Sequence, residues 1–201
     1  MILAYDGSSI DGSAYTDVID LAHRTPGWLD ALISAWSTYG LALFALLMLA
    51  AWWQARRAGT PAAVTALAVP LITLLAFGID LLLKSVVRED RPCQTLRVPT
   101  LEACPAPGDW SFPSNHAALA AAAAVALLFV SRRLGAVALV AAVLMAVSRV
   151  WVGVHYPHDV LAGFIVGALV AAATARAVRR NQGALTDRLK TGPLRPLLAA
   201  G

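Results

Sequence analysis

The chain has 201 residues, of which 59% are hydrophobic and 14% charged, and its mean hydropathy is +0.67. Because soluble domains carry about a quarter charged residues, this composition excludes an ordinary soluble domain and predicts an integral membrane protein. The net charge of +4 comes largely from a basic C-terminal stretch. That charge favours contact with anionic lipid and argues against nucleic acid as a partner.

The N-terminal segment, residues 1–27, lacks the charged-then-apolar order of a cleavable signal peptide. Some of its apolar side chains recur at helical spacing and share one face: Ile10, Ala14, Val18, Leu21 and Ala22. We therefore expect a short amphipathic helix that lies on the outer membrane surface. A disordered tail is the alternative.

Apolar segments follow at about residues 29–53, 62–83, 117–130, 135–147 and 160–178. A helix needs about 20 apolar residues to cross a bilayer core, and the first, second and last segments have this length. The other two reach it only by extending into the polar residues beside them. The sequence predicts an all-α bundle of about five transmembrane helices. We expect a single domain over residues 1–201, with 1–27 interfacial and 179–201 a basic tail.

Small residues mark expected sites of close helix packing. The segment at 117–130 begins with an alanine-rich run, and the last segment carries Gly163 and Gly167. Because small side chains let helix backbones approach one another, we expect close packing at both segments.

Basic residues in the connecting stretches predict the orientation of the bundle. Arg56 and Arg57 join the first two segments, and Arg132 and Arg133 join the third and fourth. Together with the basic tail, these regions should face the cytoplasm under the positive-inside rule. The N-terminus and the remaining two loops would then lie outside.

Cys93 and Cys104 both lie in the long loop between the second and third segments. If this loop lies outside, it meets an oxidising environment in which disulfides persist. A bridge would stabilise the protein by roughly 3 kcal/mol through the closed loop and would tie down that loop. Two unpaired cysteines are the alternative, because two sulfur atoms alone make a poor metal site.

Three polar motifs stand at the ends of apolar segments, and they read KSVVREDRP, PSNH and SRVWVGVHYPHD. In a bundle of alternating helices, all of these ends meet at the same face. Charged groups beside lipid are costly, so their convergence predicts a functional site at the outer rim. The candidate site residues are Lys84, Arg91, Ser114, Asn115, His116, Arg149, His155 and Asp159.

The cationic residue types suit a phosphate ester. Guanidinium and ammonium groups bind phosphate oxygens and stabilise the charge of a phosphoryl transition state. We therefore assign anion binding to Lys84, Arg91 and Arg149. Ser114 is placed to cap a helix start, where free backbone amides also bind anions.

The third motif suits a nucleophile. Asp159 follows His155 by four residues, which places both near one helical face. A carboxylate there can bind one imidazole nitrogen and leave the other to attack phosphorus. The motif also has metal-like spacing through His158, but no further ligand set supports a metal, so we assign none. We interpret His158 as a loop residue and not as a catalyst.

The motifs resemble the signature of the type 2 phosphatidic acid phosphatase superfamily, which contains integral-membrane lipid phosphatases. The resemblance runs from Lys84 to Asp159, and only Asn115 departs, where the family most often has glycine. It implies a helical bundle and a phosphatase that uses neither metal nor cofactor. His155 would form a phosphohistidine, Asp159 would orient its ring, and His116 would protonate the leaving oxygen. The other site residues would hold the phosphoryl group.

The polar residue at position 115 favours members that resemble bacterial undecaprenyl pyrophosphate phosphatases. Such an enzyme would remove phosphate from a polyprenyl diphosphate and recycle the carrier lipid of the cell envelope. It would span the bacterial inner membrane, with the site outside, the C-terminus cytoplasmic and the oligomeric state open. The alternatives are a phosphatidic acid or phosphatidylglycerophosphate phosphatase, a prenyl-phosphosugar phosphatase and a non-enzymatic lipid-binding protein.

Overall fold

The computed structural model describes residues 4–191, 193 and 195–198. Over these residues the chain is largely helical and forms no strand, which confirms the predicted all-α class. The helices are α1 (Ser8–Arg24), α2 (Gly27–Tyr39), α3 (Leu41–Ala58), α4 (Thr60–Val87), α5 (Pro92–Thr95), α6 (Asn115–Leu128), α7 (Arg132–Trp151), α8 (Pro157–Arg180) and α9 (Gln182–Lys190), followed by a 3₁₀ turn at Arg195–Leu197.

The alanine-rich α6 is the central helix of the bundle, and α4, α7 and α8 pack around it. Most of its alanine side chains are fully buried, so the neighbouring backbones approach it closely. On α8, Gly163 faces the backbone of Ser114 and Gly167 faces the backbone carbonyl of Ala118. These contacts fix the start of α8 against the start of α6.

The number of membrane-crossing helices differs from the expectation of five. Among the described residues, α4, α7 and α8 are long and apolar enough to cross a membrane. The bent pair α2 and α3 is a fourth candidate. The 14 residues of α6 extend only about 21 Å, whereas a hydrocarbon core is about 30 Å thick. The third predicted segment is therefore a short central helix, and three or four helices of the described residues have the length and composition of full spans.

The first predicted segment is also not one straight helix. It divides into α2 and α3, which meet at Gly40 with a bend of 53°. A side chain at Gly40 would collide with the Trp36 carbonyl oxygen and the Met145 methyl group, so close packing at this position requires glycine. The bend is accompanied by packing of α2 against α7.

The predicted N-terminal helix is present as α1, and it packs on the bundle mostly through residues outside the predicted apolar face. Tyr15 and Ile19 are buried, whereas Ile10 and Leu21 are exposed. The Tyr15 hydroxyl donates a hydrogen bond to the Gly153 carbonyl at 2.9 Å. The sequence pattern missed this polar anchor because it counted only aliphatic side chains. Contacts with α5, α7 and α8 hold α1 on the bundle.

The C-terminal stretch folds back onto α4 through α9. The Gln182 side chain donates to the Pro61 carbonyl at 2.6 Å and to the Thr65 hydroxyl at 2.8 Å. Leu198 is buried in a small cluster with Val64. The described part of the predicted basic tail is therefore attached to the first turns of α4, at the opposite end of that helix from Lys84.

The long loop between α4 and α6 packs over the ends of the helices that carry the motifs. A disulfide joins Cys93, which lies in α5, to Cys104. The Ser111 amide donates to the Glu89 carbonyl at 2.7 Å, and Glu89 also pairs with Tyr5 through a single β-bridge. These contacts bring both ends of the loop to the same polar surface.

Close packing of α8 against α6 yields a stability prediction. A methyl group at Gly167 would collide with the Ala118 carbonyl, so Gly167→Ala should destabilise the protein by about 1–3 kcal/mol through overpacking. Gly78→Ala on α4 is the matched control, because a methyl group there meets nothing within 4 Å. Thermal unfolding in detergent should show a lower Tm for Gly167→Ala alone. Equal Tm values for the two variants would contradict the observed packing.

Candidate active site

The structure brings the predicted site residues together at one end of the bundle. Lys84 lies in the last turn of α4 and Arg149 in the last turn of α7. Asn115 and His116 open α6, and Asp159 lies in the first turn of α8. Arg91, Ser114 and His155 come from the segments between these helices. Alternation of the helices explains why residues so distant in sequence share one surface.

His155 lies in the short connection between α7 and α8 and is only 2% exposed. Its Nδ1 is 3.3 Å from an Asp159 carboxylate oxygen, and its Nε2 is 3.2 Å from Arg91 Nη1. A guanidinium can only donate, so Nε2 must accept and carries the lone pair. The proton is therefore on Nδ1, facing Asp159, and Nε2 is available as a nucleophile.

Electrostatics also favour the neutral imidazole. Burial, followed by the positive charges of Arg91, Lys84 and Arg149, holds the pKa of His155 well below its usual range. An imidazole with such a lowered pKa stays unprotonated on Nε2 at neutral pH. The surrounding cations therefore both attract an anion and favour the neutral form of His155, the candidate nucleophile.

Asp159 is completely buried and holds the loop that carries His155. Its Oδ2 accepts the Tyr156 backbone N–H at 2.8 Å and the Ser111 hydroxyl. Ser111 Oγ also lies 3.3 Å from His155 Nδ1. Sequence reasoning missed Ser111, because a serine just before a motif is common in loops. Its position three residues before Ser114 was the only available signal.

The start of α6 presents unused polar groups to the site. Ser114 is the N-cap residue, and its backbone N–H donates to the Asp159 carbonyl at 3.0 Å. Ser114 Oγ and Asn115 Oδ1 are buried without a hydrogen-bond partner among the described residues. The free backbone amides of this helix start and the Ser114 hydroxyl can donate to an anion, whereas Asn115 Oδ1 can only accept a hydrogen bond. His116 lies in the same turn, close enough to His155 for their charges to interact.

Groups of the long loop hold Lys84 and Arg91. Lys84 Nζ donates to the carbonyls of Trp110 and Ser111 at 2.6 and 3.1 Å. Arg91 binds the Asp109 carbonyl through Nε at 2.8 Å and the Asp109 carboxylate through Nη2 at 3.0 Å. These contacts fix both cations and use part of the hydrogen-bonding capacity predicted for phosphate.

Arg149 is held in the same way by residues that the sequence did not indicate. Its Nη1 donates to the Ser37 hydroxyl on α2 and lies 3.2 Å from a Glu102 carboxylate oxygen. Its Nε is buried and has no partner among the described residues. The guanidinium therefore keeps a donor for a bound anion.

His158 is not the loop residue that the sequence suggested. It is the second residue of α8 and is mostly buried. Its ligand atom lies within 4.8 Å of those of Glu89 and Asp159, a spacing that a metal ion could use. However, its ring nitrogens already lie 2.7 Å from an Asp11 oxygen and 2.9 Å from a Glu89 oxygen. Hydrogen bonds account for this cluster.

Comparison with known proteins identifies the family. Residues 65–183, which include every predicted site residue, match the PAP2 superfamily. The chain belongs to this superfamily. It is also similar to the crystal structure of a transmembrane PAP2-type phosphatidylglycerolphosphate phosphatase from Bacillus subtilis. That likeness has a TM-score of 0.53 and 25% sequence identity, and it covers 85% of this chain and 86% of the other.

Relatives in the PAP2 superfamily act on lipid phosphates, according to their names. The chain is 34% identical to an undecaprenyl-diphosphatase of Bacillus subtilis over 71% of both chains. It is 35% identical to an undecaprenyl-diphosphatase of Sulfolobus acidocaldarius, over 51% of this chain and 52% of that one. It is 38% identical to a decaprenylphosphoryl-5-phosphoribose phosphatase of Mycobacterium tuberculosis, over 49% and 52%. The family and these relatives support a membrane lipid phosphatase.

The unexpected role of Ser111 yields a prediction. Ser111→Ala removes a hydrogen bond to a buried carboxylate, so kcat for phosphate release from a lipid phosphate should fall about tenfold or more. Ser85→Ala is the control, because the exposed Ser85 hydroxyl bonds only to the Leu82 carbonyl of its own helix. A kcat of Ser111→Ala within twofold of that of the control would show that Ser111 does not contribute to catalysis.

Proposed function

We propose that the protein hydrolyses a polyprenyl diphosphate, with undecaprenyl diphosphate as the representative substrate, to the monophosphate and inorganic phosphate. The observation that carries the reaction is the 3.2 Å contact between His155 Nε2 and the guanidinium of Arg91, from which we infer an unprotonated Nε2. The substrate class rests on the similarity to undecaprenyl-diphosphatases. The product would be a carrier lipid ready for another cycle of envelope synthesis.

In the first step, His155 Nε2 attacks the terminal phosphorus of the diphosphate. The bond between that phosphorus and the bridging oxygen breaks as the nitrogen–phosphorus bond forms. Because the negative charge of the bound diphosphate favours the protonated form of His116, this side chain can give a proton to the departing prenyl monophosphate. Asp159 stabilises the positive charge that develops on the imidazole, because its oxygen faces Nδ1. The result is a phosphohistidine on His155.

In the second step, water attacks the phosphohistidine. His116, which lost its proton in the first step, accepts a proton from this water. The nitrogen–phosphorus bond breaks, inorganic phosphate leaves, and His155 returns to its neutral form. Throughout both steps, charge on the phosphoryl oxygens is met by donors already fixed in the protein: Lys84, Arg91, Arg149, Ser114 and Asn115, together with the amides at the start of α6.

The apolar tail would reach this site from the membrane. A groove of about 350 Å³ lies between α2 and α7, lined by Leu32, Trp36, Leu144 and Trp151 among others. Its wall includes Ser148, the neighbour of Arg149. A prenyl chain in this groove would stay among apolar side chains while its diphosphate meets the cations.

The proposed location follows from charge. Arg56, Arg57, Arg132 and Arg133 lie at helix ends away from the site, and we place these ends in the cytoplasm. The active site would then open on the outer side of a bacterial inner membrane, where used carrier lipid accumulates. The disulfide-bearing loop would lie on the same side.

A second candidate is a phosphatase of another lipid phosphate. The similarity to a decaprenylphosphoryl-5-phosphoribose phosphatase and to a phosphatidylglycerolphosphate phosphatase supports it. These substrates share the terminal phosphate and would use the same nucleophile. They differ in the group that remains on the lipid.

A comparison of kcat/KM between lipid phosphates tests the proposed substrate class. Purified protein in detergent should release phosphate from undecaprenyl diphosphate with kcat/KM at least about tenfold above that for phosphatidylglycerophosphate and phosphatidic acid, a difference worth about 1.4 kcal/mol. His155→Gln serves as the blank for contaminating phosphatases. A higher kcat/KM for either glycerophospholipid would be compatible with His155 as the nucleophile but would contradict the proposal that the substrate is a polyprenyl diphosphate.

The charge balance of the site predicts that no divalent ion is needed. Because Lys84, Arg91 and Arg149 supply the positive charge, dialysis against EDTA should leave kcat within about twofold of its starting value. The assay would compare dialysed protein with and without added Mg²⁺ or Zn²⁺. Loss of activity that a divalent ion restores would contradict metal-independent hydrolysis.

A further inference from the structure

The imidazole of His158 lies between two carboxylates. Its Nδ1 is 2.7 Å from Asp11 Oδ1, and its Nε2 is 2.9 Å from Glu89 Oε1. Its backbone N–H donates to the second Asp11 oxygen at 2.7 Å. An ionised carboxylate can only accept, and a neutral imidazole has a single N–H. Both ring contacts are hydrogen bonds at once if His158 is the doubly protonated imidazolium.

A third carboxylate faces the same ring. His158 Nε2 is 3.6 Å from Asp159 Oδ1, which is buried and has no hydrogen-bond partner in the described part of the chain. Glu89 is 1% exposed and Asp159 is fully buried. Two such carboxylates close together in a medium of low dielectric would not both stay ionised without a cation between them. His158 is placed to be that cation.

His158 also connects the site to α1, which lies outside the residues that match the family. Asp11 is the α1 residue that contacts His158 through both oxygens. The Tyr156 ring stacks on the His158 ring with centroids 5.4 Å apart, and Tyr15 of α1 packs against Tyr156. The helix is thereby attached directly to the connection that carries His155.

A proton fits this cluster better than a metal ion. Ligands of a tetrahedral zinc ion with bonds of about 2.0–2.1 Å lie roughly 3.3 Å apart. The separation between His158 Nε2 and Glu89 Oε1 is 2.9 Å, which is a hydrogen-bond distance. His158 and Asp159 are also adjacent on one helix, so their side chains leave the helix in different directions.

We propose that His158, as an imidazolium, is a positioning residue of the phosphatase. It balances the charges of Glu89 and Asp159, so that Asp159 stays ionised beside His155, and it attaches α1 through Asp11. The inference rests on the proposed function for its kinetic consequences, whereas the charge state of His158 does not depend on any substrate.

Several other charged groups bear on this cluster and enter its pH dependence. Asp11 comes from α1 and Glu89 from the segment after α4. The groups that act on the neighbouring His155 are Arg91, Lys84, Arg149 and His116. These cations lie on the side of Asp159 that faces His155. On the opposite side, His158 is the close cationic partner of Glu89 and Asp159 among the described residues.

The kinetic test uses the pH profile of kcat/KM for undecaprenyl diphosphate. In His158→Gln, Asp159 should accept a proton at higher pH, so the acid limb should move up by about one pH unit or more. Glu89→Gln removes a repelling charge instead, so its acid limb should move down. The double variant His158→Gln with Glu89→Gln should regain most of the activity near neutral pH. Asp11→Asn removes one of the negative charges that favour the imidazolium but leaves His158 in place, so its acid limb should move up by less than that of His158→Gln.

A purely structural role for His158 gives different results. It would lower activity uniformly across pH, with no shift of the acid limb and no recovery in the double variant, and this outcome would overturn the proposal. If His158→Gln does not fold, Glu89→Gln still tests the charge balance, because the acid limb of its kcat/KM profile should move to lower pH. An acid limb that stays in place in Glu89→Gln would contradict the proposed charge balance.

A second measurement separates this inference from the proposed function. Nitrogen-15 NMR of histidine-labelled protein at pH 7.5, assigned with His158→Gln, should show both ring nitrogens of His158 protonated. A neutral ring, or zinc binding that disappears in His158→Gln, would overturn the assignment whether or not the protein hydrolyses the lipid. Failure of the wild-type protein to hydrolyse any lipid phosphate, with a protonated His158, would instead overturn the proposed function alone.

Discussion

The buried carboxylate of Asp159 is the group on which the geometry of the site depends. Its Oδ2 accepts the Tyr156 amide at the start of α8, binds Ser111 from the long loop and faces Nδ1 of His155. The Asp159 carbonyl accepts the amide of Ser114 at the start of α6. One residue therefore joins the second and third motifs and favours the tautomer of the proposed nucleophile, His155, with its proton on Nδ1. Burial makes these bonds strong, and it makes the loss of any of them costly.

A site with this much buried charge needs compensation on every side. The cations that would meet phosphate are held by groups of the disulfide-bearing loop, with Arg91 bound to Asp109 and Arg149 to Glu102. On the opposite side of Asp159, Glu89 lies within hydrogen-bond distance of His158, whose proposed imidazolium charge would balance it. The loop and the N-terminal helix therefore take part in the electrostatics of the site, although the proposed nucleophile, His155, lies in the connection between α7 and α8.

Local patterns in the sequence predicted the features that depend on a single helix or motif. Apolar length indicated α4 and α8, and the alternation of helices placed Lys84 and Asp159 on one surface. The features that depend on tertiary contacts were not predictable. The bend between α2 and α3 lies at Gly40, and no local pattern shows that this residue packs closely against Trp36 and Met145. Glu89 and His158 looked like ordinary polar residues until the fold placed them together.

Trapping the covalent intermediate is the most direct test of the central claim, that His155 is the nucleophile. Protein mixed with undecaprenyl diphosphate labelled with ³²P in its terminal phosphate, then quenched in alkali, should carry a label that is stable to base and lost in acid. The label should map to the peptide containing His155 and be absent from His155→Gln. Turnover by His155→Gln, or a label on another residue, would contradict the account.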